Sequence, residues 1–131
     1  MKKILLILIA GFLFYNNASA TATPVTWTAV TGTNLDWNSP STWTITSGSS
    51  THSIPGAEGT TVTNYLDNVV IPVGSSVILS AASYAYNLNL LGSLSDNGNT
   101  LTILQGNATV ITGSGTHSST GSGGHHIKSY G

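Results

Sequence analysis

The 131-residue chain has no cysteine, no arginine and, histidine aside, only seven charged side chains. Without cysteine there is no disulfide staple and no thiolate ligand for a metal. Lys2, Lys3 and Lys128 are its only strong cations, so it lacks the basic patch that phosphate backbones and anionic lipid surfaces require. Nucleic acid is not an expected partner. Long apolar runs are missing too: the longest, Ile4 to Phe14, covers about 16 Å as a helix, roughly half of a bilayer's hydrocarbon core. No stable membrane anchor is expected from it.

That short run has a different use. Lys2 and Lys3, the apolar stretch and the closing Ala18-Ser19-Ala20 form, in order, the three parts of a cleavable bacterial signal peptide. Residues 1–20 are read as that leader, with Ala18 and Ala20 marking the cleavage site. No cysteine follows Ala20 to accept a lipid. The expected address is therefore across the inner membrane, secreted or at the cell surface, with the periplasm as the remaining compartment.

Cleavage leaves 111 residues, enough for one domain with a modest core. Of these, 59 are Thr, Ser, Gly or Asn, and the formal charge is −3. Ser, Thr and Asn compete with a helical backbone through their own hydrogen bonds, while Thr favours strands and Asn and Gly favour turns. An all-β domain follows. Disorder is the competing reading of such composition, but apolar residues are frequent and locally ordered.

Val25, Trp27 and Ala29 alternate with Thr26 and Thr28, and Trp43 and Ile45 alternate with Thr42, Thr44 and Thr46, the period of strands with one buried face. Ser47 to Asn64, with Gly48, Pro55, Gly56 and Gly59, has no period and reads as an irregular connection. From Asp67 onward the apolar runs are brief and broken by Gly or Asn, with Asn at 87, 97 and 107 suggesting a ten-residue unit. Short strands repeated without matched hairpins suit a short right-handed parallel β-helix, or β-solenoid, with Asn residues laddered between coils. A small antiparallel β-sandwich is the alternative. The organisation expected is a leader at 1–20, N-terminal strands and a Trp-rich irregular cap at 21–66, coils at 67–113, and a flexible Gly/Ser/His tail at 114–131.

The side chains that could carry chemistry are few. His125 and His126, with His117 nearby, lie on the tail without the fixed spacing of a metal site, so no metal is assigned. Asp36, Glu58, Asp67 and Asp96 are spread through loops and read as turn residues rather than as a catalytic carboxylate pair. No Gly-x-Ser-x-Gly elbow leads into a helix, and no phosphate-cradling glycine loop is present. Asn107-Ala108-Thr109 matches a glycosylation acceptor, which a bacterial leader makes a coincidence. No catalytic or cofactor-binding residue is assigned. Aromatic rings remain, because an exposed Trp or Tyr face is a platform for a sugar ring. Trp27 and Trp43 suit the plug of a first coil; Trp37, in a polar loop, is expected at the surface, and Tyr84 and Tyr86 alternate as though sharing a face. Trp37, Tyr84 and Tyr86 are the candidate stacking residues.

These residues also carry a resemblance. Trp27, Asp36-Trp37-Asn38, Ser41-Thr42-Trp43, Ile54-Pro55-Gly56, Asp67-Asn68-Val69-Val70-Ile71-Pro72 and Asn87-Leu88-Asn89-Leu90 are together similar to the N-terminal segment of large secreted bacterial β-helix proteins, adhesin-like or autotransporter-like. The match runs from about Trp27 to Thr112. Asp67 to Pro72 followed by Gly74 and Val77 to Leu79 also looks like the eight-glycine domain of extracellular carbohydrate-related proteins. The resemblance implies a parallel β-helix and a structural or adhesive role at a surface, with an extracellular glycan or a host or cell surface as partner. A carbohydrate-binding protein, and less so a polysaccharide lyase or hydrolase, is the alternative. Such proteins usually run for hundreds of residues. A fragment is therefore expected, with an open last coil that exposes Leu101, Ile103 and Val110 and allows self-association through that end.

Overall fold

The computed structural model describes residues 24–57, 66–104, 111–120 and 127–129. Within them every regular element is a strand, apart from one 3-10 turn at Pro40–Thr42, and no helix is long and apolar enough to cross a membrane. The leader, with Ala18 and Ala20, lies outside the described residues.

The alternating segments form strands with one buried face. In β1 (Val25–Ala29) the apolar residues are buried and the two Thr are half-exposed, and β4 (Asp67–Ile71) has the same pattern. β3 (Trp43–Ser47) lies antiparallel on the outer edge of β1, with Thr28 opposite Thr44. Every other pairing among the described strands is parallel. Antiparallel contact is thus confined to one pair, and the antiparallel sandwich is not what these strands build.

Three sheets result, and the chain visits them in a fixed order. β4 enters the first sheet, β5 (Ser75–Ile78) the second and β6 (Ser83–Ala85) the third. The next circuit repeats this with β7 (Asn87–Leu90), β8 (Ser93–Ser95) and β9 (Leu101–Ile103), and a third with β10 (Ile111–Thr112), β11 (Thr116–Ser118) and β12 (Ile127–Ser129). Ahead of them, β1 and β2 (Gly32–Asp36) pair with β4 and β5 in the first and second sheets. The boundary expected at residue 67 therefore does not divide the sheets.

Register corrects the ten-residue unit. Asn68 faces Asn87, Ser76 faces Ser93 and Ser83 faces Leu101, so one circuit takes 17 to 19 residues. A ladder does form, between Asn87 Nδ2 and Asn68 Oδ1 at 2.7 Å. Asn97 is instead a turn residue with φ 49°, and Asn107 lies outside the described residues. A ten-residue step would leave the chain about half-way round, on a different sheet, where backbone pairing between like positions is impossible.

Side chains inside the three sheets make one core. Val69, Ile71, Val77, Leu79, Leu88, Leu94, Leu101 and Ile103 have at most 1% of their surface exposed. The first circuit is plugged by tryptophan: the rings of Trp37 and Trp43 meet edge to face at 4.9 Å, and Trp43 Nε1 donates to the Trp37 carbonyl at 2.7 Å.

The tail expected to be flexible also needs correction. Thr116–Ser118 and Ile127–Ser129 pair in parallel with β8 and β9, while residues 121–126 and 130–131 lie outside the described set. Parallel pairing uses backbone groups, so a Gly- and Ser-rich sequence does not prevent it. Ile111 stands opposite Leu88, His117 opposite Leu94 and Ile127 opposite Leu101. Leu101 and Ile103, expected to be exposed at an open end, are fully buried, and Val110 lies outside the described residues.

Candidate functional site

Of the three candidate stacking residues, Trp37 is the clearest correction, since none of its surface is exposed. Asp36-Trp37-Asn38 reads as a polar loop in one dimension. In the fold it is the corner between the second and third sheets, where Trp37 N–H donates to the Ile78 carbonyl at 2.9 Å and the ring turns inward. Tyr84 is half-buried on β6, opposite Thr102 of β9. Tyr86 is half-buried in the bend between β6 and β7, where its N–H donates to the Asp67 carbonyl at 2.9 Å. The strand ends at Ala85, so the alternation that would set both rings on one flat face ends before Tyr86.

The described acids are engaged locally. Asp36 Oδ1 accepts from the Asn38 N–H at 2.9 Å and from Ser80 Oγ at 2.6 Å, while Asn38 Oδ1 accepts from the Ala81 N–H at 3.2 Å. These bonds close the corner of two successive circuits. Asp67 Oδ2 accepts from the Gly56 N–H at 2.8 Å, fastening the irregular connection to the start of β4. Glu58, His125 and His126 lie outside the described residues. Among the described residues no three His, Cys, Asp or Glu side chains come together as a metal site.

Asp96 differs from the other acids because it faces inward. Successive backbone bonds, Trp37 N–H to Ile78 O, Leu79 N–H to Ser95 O and Asp96 N–H to Ser118 O, stack Trp37, Leu79 and Asp96 in one corner column. The carboxylate is fully buried; Oδ1 accepts from the Gly98 N–H at 3.0 Å, and Oδ2 lies 3.3 Å from His117 Nε2. His117, only 16% exposed, takes the inward place that Leu94 fills one circuit earlier. The sequence reading saw these two residues singly, as a turn acid and a tail histidine. Aligning each against its counterpart in an 18-residue circuit is the signal that finds them.

Two outward surfaces are left for contact with other molecules. The first is the outer face of the first sheet, where the registers line up Thr26, Asn68 and Asn87 in one column and Thr28, Val70, Asn89 and Thr112 in the next. Each of these side chains is partly or fully exposed, and none is charged. The second is a shallow groove of about 340 Å³ at the corner between the first and second sheets, with Ser76, Ser93 and Thr116 on one side and Leu91 on the other. Gly92 and Gly115 form its floor. A Cβ at Gly92 would run into the Ser75 and Pro72 carbonyl oxygens, and one at Gly115 into that of Gly92, so the tight corner keeps the floor bare. Both surfaces offer hydroxyl, amide and backbone groups without charge.

Comparison with protein-family models, with curated proteins and with solved structures found no match to this chain.

Proposed function

We propose that the protein is a short right-handed parallel β-helix that serves as a structural and adhesive module outside the inner membrane, acting through its surface rather than through catalysis. The observation that carries this reading is the fixed order in which the chain visits three parallel sheets, with like positions in register from one circuit to the next. Crossovers between parallel strands of one sheet are almost always right-handed. Stacking presents the same kinds of side chain at regular intervals, a surface suited to many weak contacts in parallel. The three described acids, each tied to turn backbone or buried, favour a non-catalytic role. The leader read at residues 1–20 supports the location, and the resemblance to secreted β-helix surface proteins supports the role.

The test has two arms. With its leader, the chain produced in a bacterial host is expected outside the cytoplasm with residues 1–20 removed, and Ala18→Asp is expected to block removal. The chain from residue 21, labelled and added to intact bacterial or host cells, is expected to bind them saturably. An uncleaved cytoplasmic product contradicts the location; a folded exported chain that binds no cell surface contradicts the adhesive role.

Carbohydrate binding is the second reading. It is favoured by the uncharged hydroxyl and amide groups that line the outer face of the first sheet and the neighbouring groove.

A further inference from the structure

We propose that the outer face of the first sheet is a docking surface for a neutral, ordered polysaccharide, held by a two-dimensional array of side-chain amides and hydroxyls and not by aromatic stacking. The proposal rests on the adhesive reading and names the chemistry of the partner.

The array follows from the register. Neighbouring strands are about 4.7–4.9 Å apart, and side chains on one face of a strand recur about every 6.6–6.8 Å. Thr26, Asn68 and Asn87 therefore stand at strand spacing across β1, β4 and β7, with Thr28 and Asn89 in the parallel column. The amides are held in place by their neighbours. Asn87 Nδ2 donates to Asn68 Oδ1 at 2.7 Å, which orients both planes and leaves the Asn68 Nδ2 donors to point elsewhere. At the edge, Thr28 Oγ1 and Thr46 Oγ1 are 3.0 Å apart. A partner with neutral donors and acceptors at regular intervals can engage several of these groups at once, with little ordering left to do on the protein side.

Other partner classes fit this face poorly. A protein partner asks for an apolar interface core with aromatic anchors, and Val70 is the one apolar residue in the two columns. Trp27, Trp37 and Trp43 are all inside, at 2%, 0% and 7% exposure, so no indole platform is available. An acidic polysaccharide or an anionic membrane asks for Lys or Arg. The columns have neither, and residues 21–131 carry a formal charge of −3 that repels polyanions. An uncharged polysaccharide meets the remaining chemistry, because its hydroxyls both donate and accept.

The experiment uses the chain from residue 21 to 131 with three insoluble neutral polysaccharides, microcrystalline cellulose, curdlan and amylose, and with alginate beads as the acidic control. Depletion from solution is expected on at least one neutral polymer, little changed by added salt, and absent on alginate. Replacing Asn68 and Asn87 together, or Asn89 alone, by Ala is expected to weaken binding by about tenfold, as lost hydrogen bonds of ordinary strength would. Asn89→Val, which suits a strand, guards against a folding artefact, and Ser95→Ala on the second sheet is expected to leave binding unchanged. Binding that survives the Asn changes, or falls equally with Ser95→Ala, overturns the assignment to this face. Binding to cells without binding to any neutral polymer overturns the polysaccharide and leaves the adhesive reading standing. Failure to bind either overturns both.

Discussion

Trp37 sits between Asp36 and Asn38, as polar a setting as the sequence offers, yet none of its surface meets solvent. Chain direction decides this. Trp37 is the corner residue whose N–H continues the backbone ladder to Ile78, and corner residues in this column point inward. Its ring packs against Trp43, which in turn bonds the Trp37 carbonyl. Trp37→Ala is expected to destabilise the domain by about 3–5 kcal/mol, the range for emptying a large aromatic site in a core. Urea unfolding measures it; a change below about 0.5 kcal/mol is what an exposed residue would give. Asp96 and His117 make a second test at this scale. His117→Leu leaves a buried carboxylate without its nearest cationic partner and is expected to cost about 3–5 kcal/mol, whereas His117→Leu with Asp96→Leu recovers most of that loss. A double-mutant cycle by chemical denaturation checks the sign of the coupling, and simple additivity would show that the two residues do not act as a pair.

At the scale of elements, the strands were legible where alternation was strict and obscure where the corners intervene. Val25 to Ala29 shows its buried face in the letters alone, because nothing interrupts the two-residue period. The circuit length did not show, because Asn97 and Asn107 echo Asn87 at ten residues while the physical partner, Asn68, lies 19 residues earlier. Corners differ in length from sheet to sheet, so offsets of 19, 17 and 18 residues blur any single period. The strands of 116–118 and 127–129 were hidden for another reason: their inward residues are His117 and Ile127, too sparse to show a pattern in a Gly- and Ser-rich stretch. Of the candidate site, Asn87 was visible as a ladder residue, but its placement beside Asn68 and Thr26 needed the register. Corners also set a testable constraint. Gly92→Ala would drive a methyl group into the Ser75 and Pro72 carbonyl oxygens, with Ile71 Cγ2 3.2 Å away. Because backbone must shift to admit it, a loss of about 1–3 kcal/mol is expected by thermal unfolding.

For the whole molecule, the decisive property is that like positions in successive circuits are spatial neighbours. That single feature places the apolar residues in one core, aligns the uncharged Thr and Asn columns on the outer face, and sets Asp96 under Leu79 at the corner. The absence of cysteine makes the register directly measurable, since any introduced pair reports without interference. In-register parallel neighbours fall within the Cα separation that a disulfide tolerates, about 4.4–6.8 Å, while residues on different sheets do not. Asn68→Cys with Asn87→Cys is therefore predicted to cross-link readily under mild oxidation, and Asn87→Cys with Asn97→Cys to stay reduced. Cross-linking of the 87/97 pair, with none between 68 and 87, would contradict the account.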